Sequence, residues 1–210
     1  FEPIGAAELA ALAAEKEERR LRDTTVAADY FGLRIDSKRV LFILDLSGTM
    51  GEPLAGPFEP ATGETRLQVA VRELLEALAS FEEDTLLNLV TFTNVAERWK
   101  PGGLTPATPS AKEELVAYAK RLGSGGFTDI YGALREGFSD PEVDTIVLAS
   151  DGEPDGAWGS SIDDPLVIRA EVAAWNEYRY VTIHAIAIDA ELELLEWLAR
   201  DSGGRYVEAR

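Results

Sequence analysis

Asp45-x-Ser47-x-Thr49 sets a carboxylate and two hydroxyls on alternate residues, with Gly48 between the hydroxyls. Three oxygens so close in sequence converge on one small space if the backbone turns there, and a glycine lets it turn tightly. Carboxylate and hydroxyl oxygens are hard ligands, suited to Mg²⁺, with Mn²⁺ or Ca²⁺ as alternatives, rather than to zinc. Two further places carry the same kinds of group: Thr128 with Asp129, and Asp151 with Gly152.

The elements that position these groups are readable from their neighbours. Val40, Leu41, Phe42, Ile43 and Leu44 form an unbroken apolar run that ends on Asp45. Such a run fits a strand buried on both faces, as in a parallel sheet. Residues 86–92, 145–149, 180–188 and 205–207 read as further strands, with residues 95–100 as a hairpin arm beside the second. Helical spacing runs from Leu67 through Ala70, Val71, Leu74 and Leu75 to Leu78, with Thr65 as a candidate cap. Helices are also expected over residues 111–121, from Asp129 to Phe138, and over 165–178 and 191–200. Strands alternating with helices imply an α/β fold: a doubly wound, mostly parallel open sheet with helices on both faces. All three oxygen-bearing places then fall at strand ends or helix starts, where one sheet edge can gather them. Residues 6–22, rich in Ala, Leu, Glu and Arg, read as an N-terminal helical extension. The expected division is an extension or linker over 1–36 and one domain over 37–210.

Composition limits the function classes. The chain has 210 residues and a formal charge of −18, from 20 basic and 38 acidic residues. That field repels nucleic acid and anionic membrane surfaces and attracts cations. Cysteine is absent, which removes disulfides and thiolate metal sites. No apolar run approaches the roughly 18 residues of a membrane span. The first residue is Phe1, from which a processed product or excised domain is expected. Cell compartment is not legible.

At these residues the chain resembles the von Willebrand factor A domain family, also called integrin I-like. That family carries a metal ion-dependent adhesion site of the pattern Asp-x-Ser-x-Ser, a distant Thr, and a distant Asp usually followed by Gly. The matching positions are Asp45, Ser47, Thr49, Thr128 and Asp151, with Thr at the third instead of the usual Ser. The resemblance spans residues 37–207 and keeps the order of elements. The stretch before the motif looks like that of bacterial members. The resemblance implies Mg²⁺ held directly by Ser47, Thr49 and often Thr128, with Asp45 and Asp151 acting through metal-bound water. Neutral hydroxyls quench little of the ion's charge, so a carboxylate offered by a protein partner can complete its shell. Gly48, Met50, Asp129 and Trp158 are the neighbours expected to meet that partner. The partner can also be another domain of a larger parent protein or a ring ATPase.

Competing readings set bounds. Asp129 at a helix start has a structural role by default, since a carboxylate there stabilises the helix by about 0.3–1 kcal/mol. Residues 123–126 are glycine-rich but lack the Gly-Lys-Ser/Thr of a phosphate loop, and a flexible loop that brings Thr128 to the ion is expected instead. Asp151 to Ile162 fails as a calcium loop, with Ile162 at the twelfth position and Pro154 at the fourth. His184, the one histidine, sits mid-strand as a hydrogen-bonded residue rather than a base. The expected function is therefore non-enzymatic. An enzyme of the dehalogenase-like phosphoryl-transfer type, with Asp45 as nucleophile, and a structural domain with an empty site are the alternatives. Removing the acid at Asp45 is expected to raise stability by relieving crowding among acids.

Overall fold

The computed structural model describes residues 28–54, 63–155 and 162–210. The expected helix over residues 6–22 lies outside them, as does Trp158.

The sheet is built around β3 (Arg39–Asp45). It pairs in parallel with β4 (Leu86–Phe92) on one side and β7 (Thr145–Ser150) on the other. Beyond β7 come β8 (Thr182–Ile188) and β9 (Tyr206–Ala209), both parallel. Beyond β4, the short strands β5 (Ala96–Arg98) and β6 (Thr105–Pro106) pair antiparallel with different parts of β4. The order β5-β4-β3-β7-β8-β9 reverses direction at β3, so the crevice at its carboxyl end is the switch point where such sheets hold ligands.

Alternation along β3 divides the core in two. Val40, Phe42 and Leu44 face one layer with α1 (Arg66–Ser80) and α2 (Pro109–Ala119). Leu41 and Ile43 face the other, with α3 (Ile130–Ser139), α4 (Pro165–Asn176) and α5 (Glu193–Ser202). The doubly wound α/β reading thus holds. Thr65 does cap α1: its hydroxyl accepts from the Gln68 N–H, and the Gln68 side chain accepts from the Thr65 N–H, closing a capping box. Gly137 lets α3 lie close on the sheet, since a Cβ there would stand 3.1–3.3 Å from the side chains of Ile43, Leu41 and Ile146.

The hairpin before the sheet was not anticipated. Residues preceding β3 form a hairpin, β1 (Ala28–Tyr30) with β2 (Leu33–Ile35). Phe31 and Gly32 both take positive φ at its two-residue turn, a geometry that matches the strands' twist. Tyr30, Leu33 and Ile35 join the same core as Phe42 and Leu74, and Tyr30 donates to the Ala70 carbonyl of α1. A cut at Ser37, the expected boundary, would strip these side chains from the packed layer.

Candidate functional site

Asp45 ends β3 with no exposed surface. One carboxylate oxygen accepts the Ser47 N–H at 2.6 Å and the other accepts the Ser150 hydroxyl at 2.5 Å. Both oxygens are thus engaged by the protein, and Asp45 orients the turn. Burial is the main cause that pushes its pKa from the ordinary 3.8 up to about 6. The Ser150 and Ser47 hydrogen bonds pull the other way, and the Asp151 charge adds a smaller upward push. After Ser47 the chain makes a 3₁₀ turn, Gly48–Gly51, whose Met50 is anchored in the core. That anchor turns the hydroxyls of Ser47 and Thr49 the same way, 3.3 Å apart.

The second loop is fixed to the first by backbone hydrogen bonds. Gly125 N–H donates to the Leu46 carbonyl at 2.7 Å, and Gly48 N–H donates to the Gly126 carbonyl at 3.1 Å. The stretch expected to be flexible is therefore tied to the first loop at Gly125 and Gly126. Gly126 has φ +86°, and a Cβ there would meet the Asn94 side chain at 2.4 Å. Thr128 follows, mostly buried, its carbonyl accepting from Asp155 N–H of the third loop at 3.1 Å. The Thr128 hydroxyl faces Gly152, 3.6 Å from where a Cβ would stand.

The third loop supplies Asp151 from the end of β7. One of its oxygens accepts the Thr49 hydroxyl at 2.9 Å, and the other accepts from Arg66 at 2.7 Å. Asp45, Ser47, Thr49, Thr128 and Asp151 thus lie at one sheet edge on three mutually bonded loops. Neighbouring ligands on an octahedral Mg²⁺ stand about 3 Å apart, given bonds of about 2.1 Å. The 3.3 Å spacing of the Ser47 and Thr49 hydroxyls is close to that edge length. The donor set is all oxygen, so the residues present fit a hard dication. Among the described residues no group of three His, Cys, Asp or Glu could hold a metal. This set is of another kind, with hydroxyls outnumbering acids.

Of the expected partner contacts, Gly48 is exposed and Asp129 half-exposed. Asp129 caps α3, accepting from Gly132 N–H at 2.9 Å, as its helix-start position implied. Met50 is a correction: it is fully buried, because its side chain is what pins the 3₁₀ turn, and it offers nothing to a partner. His184 is half-buried, and its Nδ1 accepts the Arg205 N–H at 3.1 Å.

Three residues at the site went unread in the sequence. Ser150 had a signal, standing beside Asp151 at a strand end. Arg66 and Asp189 had none. Arg66 opens α1 and reaches across to Asp151 at 2.7 Å and to Asp189, just past β8, at 2.9 Å. It also donates to the Thr49 carbonyl at 3.3 Å. A cation in the first turn of a helix is opposed by the helix dipole, so these acids account for its placement. Burial works against the guanidinium's charge, but the bonds and charges of Asp151 and Asp189 outweigh it and hold its pKa above the usual arginine value.

Comparison with known proteins agrees with this architecture. No family model matches the sequence. The chain is 29% identical over 180 residues to von Willebrand factor A domain-containing protein 3A of Homo sapiens, covering 84% of this chain and 14% of that protein. It is 27% identical over 181 residues to inter alpha-trypsin inhibitor, heavy chain 4, of Mus musculus, covering 80% of this chain and 17% of that one. It therefore spans only a small part of the length of the curated relatives it matches. Among solved structures, a von Willebrand factor type A protein from Catenulispora acidiphila shares the fold at a TM-score of 0.66 and 18% identity, over 85% of this chain and 40% of that one. Proximal thread matrix protein 1 from the mussel byssus, solved with a zinc-occupied MIDAS motif, does so at 0.54 and 14%, over 81% and 41%. By its relatives and its fold, the chain is similar to proteins of the von Willebrand factor A domain family.

Proposed function

We propose that this domain is a cation-dependent protein-interaction module. Ser47, Thr49 and Thr128 would hold a divalent cation, Mg²⁺ in the first instance, for a partner's Asp or Glu to complete. The carrying observation is that the Ser47 and Thr49 hydroxyls stand 3.3 Å apart, with Thr49 hydrogen-bonded to Asp151 at 2.9 Å. When bound, the ion supplies a Lewis-acidic position able to take an anionic oxygen from outside. The chain's own residues prepare that position. Asp45 fixes the Ser47 backbone, Ser150 fixes Asp45, and the buried Met50 holds the turn that carries both hydroxyls. Thr49 donates to Asp151, and that bond is one Thr49 can exchange for coordination. A family fold with a zinc-occupied site of this kind supports the reading. The alternative with Asp45 as a nucleophile has less support, since this carboxylate has no exposed surface and both oxygens are engaged.

The test is a thermal melt with Mg²⁺ or Mn²⁺ against EDTA. Selective binding to the native state must stabilise it: metal at a hundred times Kd adds about 2.7 kcal/mol, or roughly 5–10 °C for a domain of this size. An unchanged midpoint at millimolar metal overturns the reading and favours a domain with an empty site. Partner recognition is then tested by capture in Mg²⁺ against EDTA, where retention in EDTA equal to that in Mg²⁺ argues against a cation-mediated contact.

A further inference from the structure

We propose that Arg66 sets the strength of cation binding, acting as a tethered counter-charge that shares Asp151 with the incoming ion. This inference rests on the cation-binding reading above. The Arg66 side chain is only 14% exposed, and its Nε is buried without a hydrogen-bond partner, so its position is imposed by what the other nitrogens reach. Those nitrogens span the site's rear. One bonds the Asp151 oxygen that Thr49 does not use and also the Thr49 carbonyl. The other bonds Asp189 at the end of the neighbouring strand. Glu52 lies further out at 3.7 Å.

Two consequences follow for a dication placed among the hydroxyls. Arg66 occupies one of the two oxygens of Asp151, leaving a single oxygen facing Thr49. It also places a permanent positive charge directly behind that carboxylate. Repulsion between a dication and a unit charge about 6 Å away corresponds to roughly tenfold in affinity even with water-like screening. In the metal-free protein the same charge does the opposite work. It neutralises Asp151 and Asp189, which would otherwise crowd one anionic edge, and so holds the three loops together before any ion arrives. Arg66 is thus a positioning residue that trades cation affinity for a pre-assembled site.

The two effects have opposite signs, and that separates this role from simple structural support. Arg66→Met is expected to melt lower than the unaltered protein in EDTA yet bind Mn²⁺ about tenfold more tightly by calorimetry. If the methionine variant does not fold, Arg66→Gln, which removes the charge but keeps an N–H for Asp151, carries the same expectation. Arg66→Lys, which keeps the charge, should bind Mn²⁺ within about threefold of the unaltered protein. Neutral variants that bind Mn²⁺ equally or more weakly overturn the inference and leave cation binding itself standing. A lysine variant that tightens as much as the neutral ones overturns it too, because charge would not be the cause. Failure of the unaltered protein and the neutral variants alike to bind Mn²⁺ overturns both the inference and the reading beneath it.

Discussion

Asp45→Asn is expected to melt higher than the unaltered protein in EDTA and to lose its response to Mg²⁺. The folded-state pKa is raised, from 3.8 to about 6, chiefly by burial. A carboxyl of that kind favours folding fully below pH 3.8, and the contribution is lost as pH rises through 6. Above pH 6 the buried charge costs the metal-free protein up to about 3 kcal/mol, at 1.36 kcal/mol per pKa unit. Asparagine keeps the shape without the charge. Its carbonyl can accept the Ser47 N–H, and its amide can donate to Ser150, whose hydroxyl rotates to accept and already lies 3.3 Å from the Gly152 carbonyl. The gain in EDTA should therefore be largest above pH 6 and vanish near pH 4. A variant that melts lower than the unaltered protein at pH 8 in EDTA would show that Asp45's charge is structurally favourable. The rise was expected from crowding among acids, but its cause is different: Asp151 contributes least, and loss of water around the carboxylate contributes most.

Ser47→Ala is expected to leave the metal-free fold intact and remove cation-dependent behaviour. The hydroxyl's contact with Thr49 is long, at 3.3 Å, while Thr49 retains its shorter bond to Asp151, so little folding energy is lost. The Ser47 N–H bond to Asp45 is made by backbone and survives the change. A direct ligand should matter at least as much as an outer partner, whose loss typically weakens metal binding about 10–100-fold. Melts in EDTA should coincide with those of the unaltered protein, and the shift with Mg²⁺ should fall to near zero. A full Mg²⁺ shift in the alanine variant would place the ion elsewhere.

Much of this site was legible because its parts are local. The run from Val40 to Asp45 reads as a doubly buried strand on pattern alone, and its pairing on both sides follows. Thr128 and Asp151 stand at element ends, and the parallel topology brings such ends to one edge. What stayed hidden depends on contacts between distant residues. Nothing near Arg66 in the chain hints that it spans to Asp151 and Asp189, 85 and 123 residues away. An arginine at a helix start looks like a surface charge until its partners are known. Met50 follows the oxygen-bearing motif directly and reads as part of its outer surface, yet the 3₁₀ turn rotates it inward. The hairpin at Ala28 escaped notice because its two strands have only three residues each and the turn opens on Phe31, an unusual residue at positive φ.

The central claim is that the Ser47 and Thr49 hydroxyls, with Thr128 from the second loop, hold a hard dication. It is tested most directly by crystals grown with Mn²⁺ and measured for anomalous scattering from the metal. One peak is expected at about 2.2 Å from the Ser47 and Thr49 hydroxyl oxygens, on the side of Asp151, close to the bond length of a small divalent ion to oxygen. No peak at that edge, or a peak bound only by surface carboxylates such as Glu52 or Asp155, would contradict the account.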